Sequence, residues 1–224
     1  MSTIQKKVNT LKKEIEKHSQ KEITIIAASK YASIEQIITA QKAGISQFGE
    51  SKIQDAIPKI EALKQLDLTW HFIGHLQKNK VKKAIQYFSH IQSVDSLKLL
   101  EVVQKECRKA NKKMNIFLQI NINNAPQKYG FCPENIIITP LNPSDYPNVL
   151  INGIMVMLPN SDNDEIRKQY SQKANTIYKK MKKKIKTINY LSMGMSQDYK
   201  ITIKHGANMI RIGSSLFKED KYDN

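Results

Sequence analysis

Short apolar segments alternate with helix-length amphipathic segments along the whole chain, and this alternation limits the fold more than any other feature. Eight of the apolar segments have the length of β-strands, and no two of them are close enough for a hairpin. Strands separated by helices favour a parallel sheet. Eight such units predict a closed (β/α)8 barrel of the TIM type. The alternative, an open doubly wound sheet, is disfavoured because no glycine-rich fingerprint follows the first strand.

The strands are predicted at about 23–28, 47–49, 70–74, 91–94, 115–120, 150–157, 190–193 and 209–213. Before the first strand, apolar residues recur at spacings of three and four from Ile4 to Ile15, which predicts an amphipathic helix over 3–18. Pro58 lies inside the predicted helix after the second strand, where we expect a kink or a break. We expect a single domain over residues 1–224, since this length suits one sizeable core.

The formal net charge of +16 raises the question of an anionic partner such as nucleic acid. Only three of the 36 basic residues are arginine, and the densest lysine cluster, within 179–184, lies where apolar residues recur every four positions. That pattern is typical of the solvated side of a helix. We therefore expect no specific nucleic-acid binding, and an anion-binding site elsewhere on the protein.

The sequence lacks the features of an exported or membrane protein. No apolar run is long enough to cross a bilayer, and the first residues lack the apolar core of a signal peptide. Cys107 and Cys132 have no metal-ligand spacing, and we expect both to be reduced. His71 and His75 flank Gly74, which ends a strand, so they lack the helical spacing of a zinc pair. We expect a cytoplasmic protein without a metal site.

Lys30 follows a short apolar strand that we predict to be buried on both faces. In a parallel barrel, the carboxyl ends of the strands form the face where ligands bind. A lysine amine at that face can form a Schiff base with a carbonyl compound. On this segment alone, a lysine whose side chain simply reaches solvent is the simpler interpretation.

The last two predicted strands end in glycine- and serine-rich segments, 192–196 and 213–215. Loops at these places commonly bind phosphate in this architecture. Arg211 precedes Gly213 by two residues and therefore points to the same face; an arginine inside a barrel needs a polar partner. Together with Lys30, these features suggest a site for pyridoxal 5'-phosphate, with its aldehyde at Lys30, its ring nitrogen at Arg211 and its phosphate at the two loops.

The chain resembles the pyridoxal phosphate homeostasis protein family in seven segments that run in order along nearly its whole length. They are Ala-Ala-Ser-Lys at 27–30, Phe-Gly-Glu at 48–50, Trp-His-Phe-Ile-Gly-His-Leu-Gln-Lys-Asn-Lys at 70–80, Ser-Val-Asp-Ser at 93–96, Lys-Tyr-Gly-Phe at 128–131, Leu-Ser-Met-Gly-Met-Ser at 191–196 and Arg-Ile-Gly-Ser-Ser-Leu-Phe at 211–217. The resemblance implies a barrel similar to the N-terminal domain of alanine racemase. It also implies vitamin B6 homeostasis, in which the protein holds the cofactor on Lys30 and buffers or delivers it without committed catalysis.

The resemblance also implies a set of cofactor-binding residues and no separate catalytic residues. The set is Lys30, Ser51, Ser192, Met193, Gly194, Ser196, Arg211, Gly213 and Ser214. Two departures from the family pattern are present. Ser51 stands where asparagine is usual, and Tyr31-Ala32-Ser33 replaces the usual Thr-Lys-Pro. Lys128 is a further candidate for a weaker cofactor contact.

Three classes of function stay open at this point. The first is a monomeric cofactor carrier, whose candidate partners are apoenzymes that depend on pyridoxal phosphate. The second is an enzyme of the racemase type, which would need a second base; because the chain ends at Asn224, seven residues after Phe217, we expect no domain to supply it. The third is a basic anion-binding protein, whose binding would depend steeply on salt and be independent of Lys30.

Overall fold

A computed structural model describes residues 2–218 as a closed barrel of eight parallel strands. The strands are β1 Thr24–Ala28, β2 Gln47–Glu50, β3 Thr69–Phe72, β4 His90–Val94, β5 Met114–Ile120, β6 Val149–Val156, β7 Tyr190–Met193 and β8 Met209–Ile212. Each strand pairs with the next, and β8 closes the barrel against β1, with Thr24 opposite Met209. The predicted (β/α)8 barrel is confirmed.

Helices surround the barrel and connect its strands. They are α1 Thr3–His18, α2 Ile34–Lys42, α3 Ile53–Ala62, α4 Val81–Tyr87, α5 Leu97–Lys109, α6 Pro133–Ile138, α7 Asp164–Lys184, α8 Tyr199–Lys204 and α9 Ser214–Phe217, with short 3-10 turns at Lys78–Lys80 and Pro143–Asp145. The predicted helix before the first strand is confirmed as α1. The short helix α9 was not predicted. None of the helices within residues 2–218 is long and apolar enough to cross a membrane.

Side-chain caps fix where several of these helices begin. The Ser33 hydroxyl accepts a hydrogen bond from the backbone of Gln36, whose side chain accepts one from the backbone of Ser33. Ser2 and Gln5 form the same reciprocal pair at the start of α1. These bonds satisfy backbone N–H groups that have no partner inside a helix. The cap at Ser33 therefore sets how soon α2 begins after Lys30.

Pro58 lies within α3, which continues through it to Ala62. We expected a kink or a break at Pro58, and the break does not occur. Proline has no N–H to bond the carbonyl four residues earlier, which here belongs to Gln54. Gln54 and Pro58 are both on the exposed side of the helix, so water can solvate the carbonyl that proline leaves free.

The buried hydrophobic residues form two clusters, one around the barrel and one inside it. A large outer cluster packs the strands against the helices. A small inner cluster consists of Ile26, Phe117, Met155 and Met209. Met209 and Arg211 are two residues apart on β8, so their side chains share the inner face. The inner cluster thus fills the barrel beneath Arg211.

Candidate functional site

A cavity of about 630 Å³ opens at the carboxyl ends of the strands. This volume is within the range of roughly 300–1,000 Å³ that is typical of small-molecule sites. Its lining comes from the segments that follow β1, β2, β3, β6, β7 and β8, together with the start of α7. The lining residues are Ala28, Lys30, Tyr31, Ser51, Ile73, Met157, Leu158, Pro159, Asn160, Ser161, Arg167, Met195, Ser196, Gln197, Asp198, Arg211, Gly213, Ser214, Phe217 and Lys218.

Lys30 lies in a tight turn immediately after β1. The backbone N–H of Ala32 donates to the carbonyl oxygen of Ser29 at 2.9 Å, which closes the turn. The Lys30 side chain is exposed and lines the cavity. Its Nζ lies 4.9 Å from the centroid of the Tyr31 ring, and Tyr31 is 87% exposed. The lysine amine is therefore open to a ligand that enters the cavity.

Arg211 is buried at the base of the cavity. One guanidinium nitrogen donates to the carbonyl oxygen of Ser192 at 2.9 Å and to its hydroxyl oxygen at 2.7 Å, and another donates to the carbonyl oxygen of Val156 at 2.9 Å. Burial lowers the pKa of Arg211 to about 10, while the charge of Asp198 opposes the shift. Since this pKa stays above neutrality, Arg211 remains a cation.

A chain of hydrogen bonds runs from Arg211 across the inside of the barrel. The Ser192 hydroxyl donates to Gln92 Oε1 at 2.7 Å, and Gln92 Nε2 donates to His71 Nδ1 at 3.0 Å. Because Nδ1 is an acceptor, the proton of His71 is on Nε2, which donates to Gln47 Oε1 at 3.0 Å. Burial, and to a lesser extent the neighbouring His90, holds the pKa of His71 well below 6.5. In every hydrogen bond of this chain, the donor is the group nearer to Arg211. This arrangement leaves His71 Nδ1 as an acceptor and therefore favours the neutral form of His71.

The loops after β7 and β8 are held against each other. Gly194 has a φ of +108°, and a Cβ there would lie 2.2 Å from Thr202 Oγ1, so this turn needs glycine. Asp198 Oδ1 accepts from the backbone N–H of Met195 at 2.6 Å. The backbone N–H of Ser215 donates to Ser196 Oγ at 3.4 Å. These bonds bring the two glycine- and serine-rich segments to one side of the cavity.

The family model described as "Alanine racemase, N-terminal domain" matches residues 1–221. The pyridoxal phosphate homeostasis protein of Helicobacter pylori (strain J99) is 37% identical over 226 residues, which covers 98% of this chain and 100% of the relative. The protein of the same name from Aquifex aeolicus (strain VF5) is 35% identical over 199 residues, 88% of this chain and 87% of the relative.

The chain belongs to the pyridoxal phosphate homeostasis protein family. Solved structures agree with this membership. PipY of Synechococcus elongatus PCC7942 without PLP superposes with a TM-score of 0.89 at 31% identity, covering 96% of this chain and 100% of PipY. PipY with PLP bound gives a TM-score of 0.86 at 30% identity, with the same coverage. Alanine racemase of Clostridium difficile 630 shares the fold alone, with a TM-score of 0.75 at 16% identity over 97% of this chain and 58% of the racemase.

Of the nine residues that the resemblance to the homeostasis protein family implies, six line the cavity: Lys30, Ser51, Ser196, Arg211, Gly213 and Ser214. The other three, Ser192, Met193 and Gly194, are not among its lining residues. Ser192 contacts Arg211 through its carbonyl and hydroxyl groups, and the carbonyl of Gly194 accepts from the backbone N–H of Arg211 at 2.9 Å. Met193 is buried in the outer core. Lys128 is not among the lining residues.

Ser51 stands where the homeostasis protein family usually has asparagine, and it lines the cavity. Its backbone passes so close to Gly74 that a Cβ on Gly74 would lie 2.1 Å from the Ser51 carbonyl oxygen. The loops after β2 and β3 are therefore packed on each other.

Sequence reasoning missed Asp198 and Arg167 as lining residues of the cavity. Asp198 directly precedes the short helix α8, and this position in the sequence does not point to a role in the site. Arg167 lies in the first turn of α7, where its guanidinium donates to Asp164 Oδ1 at 2.9 Å. Nothing in the sequence indicates that its side chain reaches the cavity.

Proposed function

We propose that this chain binds pyridoxal 5'-phosphate in the cavity at the carboxyl ends of its strands, holds it through Lys30, and serves as a carrier of the cofactor. The observation that carries the proposal is that the exposed amine of Lys30 and the buried guanidinium of Arg211 line the same cavity. Two further findings support it. The relatives are named pyridoxal phosphate homeostasis proteins, and PipY was solved with PLP bound.

The residues of the cavity fit the parts of this cofactor. When bound, the cofactor supplies an aldehyde whose carbon forms a C=N bond with the Lys30 amine while one water molecule leaves. Arg211, at the base of the cavity, would donate to the ring nitrogen. Ser196 and Ser214 line the same cavity from the two joined loops, and their hydroxyls would donate hydrogen bonds to a phosphate there.

Arg211 favours holding the cofactor over using it for carbanion chemistry. Its pKa of about 10 keeps it charged at neutral pH. A cation beside the ring nitrogen disfavours protonation of that nitrogen, and an unprotonated ring withdraws electrons poorly. We therefore expect purified protein to show no robust alanine racemase turnover.

We also propose that the protein acts as a cytoplasmic monomer and passes the cofactor to apoenzymes that depend on it. The exposure of Lys30 and Tyr31 at the mouth of the cavity supports transfer, since a recipient could approach the cofactor directly. Light scattering after size-exclusion chromatography tests the monomer. Mixing cofactor-loaded protein with a recipient apoenzyme, and following the recovery of the apoenzyme's activity, tests the transfer.

Absorption titration tests the proposed binding. Adding pyridoxal phosphate to cofactor-free protein is expected to raise a visible band that saturates at one cofactor per chain. Lys30→Ala is expected to abolish this band, whereas Lys128→Ala, which removes a lysine outside the cavity lining, is expected to retain it. A wild-type protein that gives no band, or a band unchanged in Lys30→Ala, would reject the proposal.

A further inference from the structure

Ser29, Glu50 and Lys59 form a hydrogen-bonded group directly behind Lys30. Glu50 Oε1 accepts from the Ser29 hydroxyl at 2.8 Å and from Lys59 Nζ at 2.9 Å. Lys59 Nζ also donates to the backbone carbonyl oxygen of Ser29 at 2.7 Å. Glu50 is the last residue of β2 and Lys59 belongs to α3. The group therefore ties the ends of two neighbouring strands to the helix outside them.

These bonds converge on the turn that carries Lys30. The carbonyl oxygen of Ser29 accepts from Lys59 Nζ and also from the backbone N–H of Ala32 at 2.9 Å, so both of its lone pairs are used. The backbone N–H of Ser29 donates to the carbonyl oxygen of Gly49 at 2.9 Å. The peptide group between Ser29 and Lys30 is thus held through its carbonyl oxygen by the charged amine of Lys59.

The ion pair of Glu50 and Lys59 is more deeply buried than is usual for an ion pair that only stabilises a fold. Glu50 is fully buried, its Oε2 has no hydrogen-bond partner among the described residues, and the Lys59 side chain is 14% exposed. Removing two charges from water costs about as much as their attraction returns, and apolar residues of similar size often stabilise a fold equally well. Stability alone therefore does not explain why a buried ion pair is placed here.

We propose that Glu50 and Lys59 are positioning residues that hold the turn from Ser29 to Ala32, so that the Lys30 amine stays within reach of the cofactor aldehyde. This inference rests on the proposed function of Lys30. It assigns no contact with the cofactor to either residue. Their effect passes through Ser29, because Lys59 Nζ donates to its backbone carbonyl oxygen and Glu50 Oε1 accepts from its hydroxyl.

A set of three variants separates positioning from stability. Lys59→Met leaves the Glu50 charge buried without its partner and is expected to lower both stability and cofactor affinity. The double variant Glu50→Leu/Lys59→Met removes both charges; we expect its urea midpoint to recover while its affinity for pyridoxal phosphate stays about tenfold weaker. Lys64→Met, which removes an exposed lysine just after the same helix, is the matched control and should behave as wild type.

Hydrogen exchange on the cofactor-free proteins gives a readout that does not depend on binding. We expect the peptide that contains the Ala32 amide to exchange faster in the double variant than in wild type, with little change in the peptides of β7 and β8. Glu50→Gln, which keeps the size of the side chain and one acceptor oxygen, covers the case in which the double variant does not fold, and we expect faster exchange there as well.

The outcomes are distinguishable. Wild-type exchange and wild-type affinity in a folded double variant would overturn the inference. If wild-type protein itself fails to bind pyridoxal phosphate, the proposed function fails. The exchange of Ala32 still decides whether the pair holds the turn, because that measurement uses no cofactor.

Discussion

The guanidinium of Arg211 donates to the Ser192 hydroxyl at 2.7 Å, and that hydroxyl donates to Gln92 Oε1, also at 2.7 Å. A single serine on β7 thus links the buried cation at the base of the cavity to a polar chain that ends at Gln47 on β2. Each group in this chain accepts a hydrogen bond from the group before it and donates one to the group after it. The orientation of Arg211 therefore depends on Ser192, Gln92 and His71, which do not line the cavity.

Removing the Ser192 hydroxyl tests this link. Ser192→Ala leaves Gln92 Oε1 without its donor in a buried place, and we expect a loss of about 1–3 kcal/mol in the free energy of unfolding. The matched control is Ser93→Ala, because Ser93 is also buried but its hydroxyl has no hydrogen-bond partner in the described structure. Urea unfolding measures both. Equal losses in the two variants would show that the hydroxyl link contributes nothing specific.

The buried histidines predict how stability depends on pH. Burial lowers the pKa of His90 from 6.5 to about 4 and that of His71 well below 6.5. Above pH 6.5 both are neutral in the folded and unfolded states. Below it the unfolded chain takes up protons that the folded protein excludes, so stability falls by up to about 1.4 kcal/mol per pH unit for each histidine.

The window between pH 6.5 and 5 isolates this effect. Paired carboxylates such as Glu14, whose pKa is lowered to about 2, lose their contribution only below the ordinary value of 4.5. Urea titrations at several pH values are expected to show a shallower slope for His90→Asn than for wild type. A slope that is unchanged in His90→Asn would contradict the prediction.

Gly194 and Gly213 are expected to respond differently to alanine. At Gly194 the φ of +108° and a 2.2 Å approach to Thr202 Oγ1 leave no space for a Cβ, so Gly194→Ala should destabilise by about 1–3 kcal/mol. At Gly213 the nearest atom is the Ala28 carbonyl oxygen at 3.2 Å. Gly213→Ala should cost less stability than Gly194→Ala, because the contact with Ala28 is longer, but it should weaken cofactor binding, because it adds a methyl group to the cavity wall.

Thermal unfolding and absorption titration on the same two variants check this difference. A Gly194→Ala protein as stable as wild type would mean that the loop after β7 relaxes in a way that the structure does not suggest. Wild-type affinity in Gly213→Ala would place the cofactor away from the β8 loop.

The barrel could be predicted from the sequence because each of its strands can be recognised from a short local segment. Apolar runs of strand length, with helix-length segments between them, leave few topologies, and each predicted strand overlaps one of β1 to β8. Helix α9 was missed because Gly213, Ser214 and Ser215 also suit a turn. Whether Pro58 breaks its helix depends on whether the carbonyl of Gln54 faces water, which the spacing of apolar residues does not reveal.

Parts of the candidate site were predictable for a related reason. The sequence predicts that Lys30, Arg211 and the two loops lie on one face of the barrel, because all of them are at the carboxyl ends of parallel strands. The partners of Arg211 were not predictable, because Ser192, Gln92 and His71 meet only through the register of strands that are far apart in the chain. The pairing of Glu50 with Lys59 was not predictable either, because the sequence does not distinguish a buried ion pair from two charged residues on the surface.

Borohydride reduction followed by peptide mass mapping tests the central claim most directly. Protein incubated with pyridoxal phosphate and then reduced is expected to carry one cofactor, fixed on the peptide that contains Lys30, and Lys30→Arg is expected to carry none there. A wild-type protein that stays unlabelled with excess cofactor, or that is labelled on scattered surface lysines with Lys30 unmodified, would contradict the account.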